Sequence, residues 1–107
     1  MIRHIVMFKL KEFASQTEKR DKMQEIKTHL EALIEQIEVL QAIRVDFNVN
    51  PDEAWDMILT TELHSLEDVA LYANHPAHVA VAKNIIAPVK ADRACVDYEA
   101  GAGEVNA

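Results

Sequence analysis

The residues best suited to chemistry lie close together in one heptapeptide, Tyr72-Ala73-Asn74-His75-Pro76-Ala77-His78. Tyr72 falls at the end of one predicted helix, His75 in a break, and His78 on the first turn of the next helix. Pro76 restricts the backbone between the two imidazoles. The positive end of a helix dipole favours the neutral form of a histidine held there. Neutral imidazole acts as a general base near neutral pH, and a phenol donates a hydrogen bond to a developing enolate or carbonyl oxygen. The segment reads as an acid–base site with His78 as base and Tyr72 as donor. A structural reading stands beside it, in which the histidines cap turns and Tyr72 is a core residue with its hydroxyl bonded.

Other candidates are weaker. His4 shares a strand face with Val6 and Phe8, where a polar ring needs a partner or a cavity. The spacing His75-x-x-His78 would put two imidazoles on one helical face, but a zinc site takes at least three protein ligands. Nothing in the sequence brings His4, His64 or Asp97 to that pair, so no metal and no cofactor are expected. Cys95 has no helix N-terminus near it and reads as an inert, buried thiol.

The elements that hold these residues are legible from periodicity. Ile2, His4, Val6, Phe8 and Leu10 alternate on one face of a first strand, with Ile5 and Met7 on the other. Ser15-Gln16-Thr17-Glu18 is a capping box. Beyond it, Met23, Ile26, Leu30, Leu33, Ile34 and Ile37 mark one amphipathic helix over about residues 17–37. Ile43, Val45, Phe47 and Val49 form a second strand, and Trp55, Met57, Leu59, Thr61 and Leu63 a third. A connection of about 5 residues around Pro51 joins them. Ser65 caps a second helix running to Asn74, Pro76 opens a further one that ends before Pro88, and Arg93–Glu99 is the last strand. The order β-α-β-β-α-β is the ferredoxin-like arrangement of an α+β fold with a four-stranded antiparallel sheet.

Composition narrows the function classes. The chain has 107 residues, a formal charge of −7, 50% apolar residues and one cysteine. That length suits one domain, and a single cysteine excludes an internal disulfide. An acidic balance argues against nucleic acid or an anionic membrane as partner. No apolar run approaches a membrane span, and the first residues carry no signal-peptide pattern, so a cytoplasmic location is expected. Both glycines lie at positions 101 and 103, which leaves no glycine-rich phosphate loop in the body. Residues 100–107 read as a flexible tail after a domain at 1–99.

Met1-Ile2-Arg3-His4-Ile5-Val6-Met7-Phe8-Lys9-Leu10-Lys11, then His75-Pro76-Ala77-His78-Val79, then Val96-Asp97-Tyr98, resembles the stress-responsive A/B barrel (Dabb) family along the whole domain. The resemblance implies a dimeric α+β barrel, a homodimer whose two sheets face each other with the helices outside. It also implies a range of roles, since one plant member closes a linear polyketide without a cofactor and most bacterial members have no assigned activity. By similarity to that cyclase, Tyr72 and His78 take the catalytic positions, His4 and His75 match two further histidines, and a pocket histidine is replaced by Met57. Phe8 and Trp55 join Met57 as candidate walls of the site.

Three functions follow. The first is a homodimer that binds a small, largely apolar or polyketide-like molecule between helices and sheet. The second is a cofactor-free cyclase or isomerase using His78 and Tyr72. The third is a structural stress-response dimer with a filled core. An open cavity beside His78 would favour the first two. Filling of that space by Trp55, Met57 and Phe8 would favour the third.

Overall fold

The computed structural model describes residues 1–101. Its elements are β1 (Ile2–Leu10), α1 (Gln16–Glu31), β2 (Ala42–Phe47), β3 (Met57–Leu63), α2 (Leu66–Asn74), α3 (Pro76–Val81) and β4 (Lys90–Glu99). The four strands form one antiparallel sheet in the order β2-β3-β1-β4. This is the expected ferredoxin-like α+β fold. The expected tail lies, from residue 102 on, outside the described residues.

Alternation along β1 sorts the sheet into two faces. His4, Val6, Phe8 and Leu10 are buried under the helices, as are Met57, Leu59, Thr61 and Leu63 of β3. Ile5 and Met7 point to the other face, opposite Thr60 and Ile58. One helix layer on one sheet gives a slab 19 Å thick. Among the described residues, no layer covers that second face.

Helix ends follow local chemistry. Ser15 Oγ accepts from Glu18 N–H at 3.1 Å and Ser65 Oγ from Asp68 N–H at 3.1 Å, so both expected caps form. The long helix expected over 17–37 is interrupted: α1 stops at Glu31, and Ala32–Glu35 winds on as a 3₁₀ turn. Tightening from 3.6 to 3 residues per turn rotates successive side chains further apart. Leu33 and Ile37 stay buried, whereas Ile34 swings out to 40% exposure.

The link between β2 and β3 is longer than expected, spanning residues 48–56. Asn48 and Asn50 side chains accept from the backbone N–H groups of Asn50 and Asp52, an Asx-turn pattern that takes Val49 and Pro51 out of the ladder. Trp55 therefore precedes β3 instead of belonging to it. Asp56 closes this end of the sheet, accepting from Leu10 N–H at 2.7 Å and pairing with Lys19 at 2.7 Å. At the outer strand β2, Glu31 accepts from Val45 N–H, and Lys27 donates to Val45 C=O. These two side chains occupy backbone groups that would otherwise be open to strand addition.

After α3, Ala82–Ile86 forms a π turn, with Ala87 N–H bonded to Ala82 C=O at 2.8 Å. β4 begins at Lys90, three residues earlier than expected.

Candidate functional site

Pro76 sets the geometry of the site. The residue before a proline avoids the helical region, and His75 has φ −64° and ψ 135°. This extended residue separates α2 from α3, so Tyr72 on the last turn of one meets His78 on the first turn of the other. Their ring centroids are 4.7 Å apart with planes tilted by 55°. The ring of His4 stands edge-on to Tyr72, with centroids 6.2 Å apart. Tyr72 thus lies between two imidazoles.

The histidines differ in which nitrogen is engaged. His78 Nδ1 lies 2.9 Å from the Ala73 carbonyl, which is one of the unpaired acceptors at the end of α2. A carbonyl only accepts, so Nδ1 carries the proton and neutral His78 keeps its Nε2 lone pair free. His4 Nδ1 bonds the Asp97 carboxylate, which places the proton on Nδ1 in the same way. His75 is the opposite case: its Nδ1 accepts from Ala77 N–H at 3.0 Å and caps α3.

Burial holds His78 below the usual histidine range. The Ala73 bond opposes this, and the neighbouring His4, Arg93 and His75 add to it. The expected preference for neutral imidazole is present, with burial as its main cause. The Tyr72 hydroxyl is pushed far up by burial, against a smaller opposing effect from Arg93, so it remains a donor. It is also buried, with no hydrogen-bond partner among the described residues.

Beside these rings is a cavity of about 110 Å³, lined by His4, Val6, Phe8, Leu59, His78 and Ile86 together with Arg93 at its mouth. Of the residues singled out from sequence, His4, Phe8 and His78 line it, and Tyr72 packs against the two histidines. His75 does not line it and is occupied as a cap. Met57 and Trp55 instead border a separate depression with Met7 and Phe47. Leu59, two residues further along β3, takes the cavity wall because it pairs with Val6.

Arg93 and Lys90, which also borders the cavity, were missed. Their signal was register: Arg93 pairs with Phe8 and Lys90 with Leu10, which turns both toward the helix side. Cys95 departs from its expected burial. It is exposed on the outer strand β4, where no helix covers it, and its Sγ lies 3.5 Å from His4 Nδ1.

Comparison with known proteins sets this arrangement in context. A family model described as "Stress responsive A/B Barrel Domain" matches residues 2–100. A dimeric protein of unknown function and ferredoxin-like fold from Bacteroides fragilis is 46% identical, with 92% of this chain and 94% of that one covered and a TM-score of 0.84. A stress-response A/B barrel domain-containing protein of Arabidopsis thaliana is 34% identical over 99 residues, which is 92% of this chain. The match spans 36% of that protein's length. Hydroxynitrile lyase from Passiflora edulis shares the fold at 16% identity, with 97% and 96% of the two chains covered and a TM-score of 0.77.

Proposed function

Because the chain belongs to the stress responsive A/B barrel domain family, we propose that it is a homodimer in which each subunit binds a small molecule through a hydrogen-bond-accepting oxygen. The observation that carries this reading is the Tyr72 hydroxyl, buried with no hydrogen-bond partner among the described residues, on a ring packed against two residues of the cavity wall, His4 and His78. A buried donor left without a protein partner costs about 1–3 kcal/mol, which a ligand oxygen can return. The cavity volume bounds that ligand. At about 110 Å³ it is smaller than the roughly 150 Å³ that accommodates benzene and the 300 Å³ or more of drug-sized sites. The enclosed part of the ligand is therefore smaller than a benzene ring: a short chain or a small polar group. A longer polyketide-like molecule would extend past Arg93, whose charge suits a carboxylate at the mouth.

Dimerisation rests on the uncovered sheet face and on the dimeric relative at 46% identity. That face carries half-buried Ile5, Met7 and Ile58 beside exposed Val96 and Tyr98, and a contiguous apolar patch of this kind marks an interaction surface. Glu31 and Lys27 obstruct edge pairing at β2, which favours face-to-face assembly.

Native mass spectrometry of protein purified from its own host tests the binding reading. The expected result is one small adduct per chain, lost on denaturation and depleted in Tyr72→Phe. An adduct retained in full by Tyr72→Phe would refute the role of the hydroxyl.

A second reading, cofactor-free proton transfer, is favoured by the tautomer of His78. Its neutral ring, held by Ala73, offers Nε2 as a base beside a phenol donor. Base removal of a proton next to a carbonyl, with Tyr72 stabilising the enolate oxygen, would serve an aldol cyclisation or an isomerisation. Small ketones incubated with the protein in D₂O would exchange their α-protons, and His78→Ala would abolish the exchange. Equal exchange with and without His78 would exclude it as the base.

A further inference from the structure

We propose that His4, Cys95 and Asp97 form a divalent-metal site of the zinc type at the β4 edge. The strand register assembles it. His4 pairs directly with Asp97 and Val6 with Cys95, so all three side chains share the helix-side face of the sheet. His4 Nδ1, Cys95 Sγ and an Asp97 carboxylate oxygen lie within 4.8 Å of one another.

One feature distinguishes this cluster from a catalytic relay. In a nucleophile–imidazole–carboxylate relay, the acid and the nucleophile engage opposite ring nitrogens. Here the carboxylate and the sulfur both converge on Nδ1 of His4. A nitrogen, a sulfur and a carboxylate oxygen gathered this closely form a ligand set that an ion can take.

The distances also suit an ion. With metal–sulfur and metal–nitrogen bonds of about 2.3 and 2.0–2.1 Å, tetrahedral coordination separates S from N by about 3.5 Å. The Cys95 Sγ to His4 Nδ1 separation is 3.5 Å. Asp97 is bonded to the same nitrogen through a proton that the ion would replace, and its side chain is one-third exposed, with room to draw back.

The chemistry balances without a redox partner. Binding Zn²⁺ releases the thiol proton of Cys95 to solvent, and the Nδ1 proton of neutral His4 relocates to Nε2. One thiolate and one carboxylate then neutralise the two positive charges, and a fourth position remains for water or another ligand. Exposed Cys95 provides the entry path from solvent. His4 is common to the metal cluster and the cavity wall, and the ion would convert its Nε2 from acceptor to donor.

Titration of the reduced, chelator-treated full chain with Co²⁺ tests the site, followed by competition with Zn²⁺. The expected result is one Co²⁺ per chain, a sulfur-to-cobalt charge-transfer band in the near ultraviolet, intense tetrahedral ligand-field bands, and displacement by Zn²⁺. Cys95→Ser removes the charge-transfer band and weakens Co²⁺ binding at least tenfold. Asp97→Asn weakens it at least tenfold with the band retained, and His64→Gln changes neither. Both informative substitutions are at exposed positions of β4, so folding is preserved. Absence of saturable Co²⁺ binding, or binding that Cys95→Ser leaves unchanged, would overturn the proposal.

Discussion

Replacing Tyr72 with phenylalanine isolates one buried hydroxyl from the ring that carries it. The ring is core, with Tyr72 fully buried and packed against His78 and His4. The hydroxyl has no acceptor among the described residues, so its removal breaks no internal hydrogen bond and relieves an unpaired donor worth about 1–3 kcal/mol. Lost packing contacts of the oxygen, about 0.1–0.2 kcal/mol each, offset part of this gain. Unfolding entropy of about 2.1 cal/mol/K per residue gives about 0.22 kcal/mol/K for this chain, so 1 kcal/mol moves Tm by about 4–5 °C. The ratio holds whether chains unfold singly or as a pair, because both terms double. Tyr72→Phe is expected to leave Tm unchanged or raise it by up to about 13 °C, measured by circular dichroism at fixed chain concentration. Tyr72→Ala, the control, removes the ring as well and should cost about 3–5 kcal/mol, a fall of about 13–22 °C. If Tyr72→Phe instead lowers Tm by about 5 °C or more, the hydroxyl has a structural partner and the argument for a ligand fails.

Three other measurements probe the same architecture. The folded-state pKa of His78 is lowered chiefly by burial, so its stability contribution is complete above the unfolded value of about 6.5 and is lost as pH falls from there through the folded pKa. Denaturant midpoints should therefore drop below pH 6.5, and less steeply in His78→Gln; parallel profiles would show that His78 is not the group responsible. Asp56→Ala leaves Leu10 N–H without its acceptor and Lys19 without its counter-charge, so a loss of about 1–3 kcal/mol is expected in urea unfolding, and no loss would mean that the strand end is held otherwise. Sedimentation velocity at micromolar concentration should give a dimer for the natural chain and a monomer for Ile58→Lys, whose charge would lie on the opposed sheet faces; a monomeric natural chain would remove the barrel.

Much of the fold was legible because its signals are local. The alternation in β1, the serine caps and the break at Pro76 each act over two to four residues, and all appear where expected. Tyr72 and His78 were found for the same reason, since six residues and one proline bring them together. What escaped the sequence required register between distant strands. Asp97 sits 93 positions from His4, and Arg93 reaches the cavity mouth only because β4 pairs with β1 at Phe8. The placing of Leu59 on the cavity wall, with Met57 elsewhere, turns on a shift of two residues along one strand face. Periodicity identifies the face and not the position along it. The 3₁₀ winding after Glu31 was hidden because Leu30 and Leu33, three residues apart, share a face at either helical period.

The π turn at Ala82–Ile86 has an implication for how chain length and cavity size are coupled. Such a turn is an α-helical turn holding one residue more than it needs, and two of its members, Ala82 and Ile86, border the cavity. Deleting a single residue from this stretch would let the helix rewind into α geometry without breaking the chain. Side chains after the deletion would keep their orientation, because the π turn already absorbs the extra residue, while the widened backbone beside the cavity would close in. Cavity volume here is thus set by an insertion as well as by side-chain size, and a one-residue length change within residues 82–86 would reshape the cavity on an otherwise unaltered sheet.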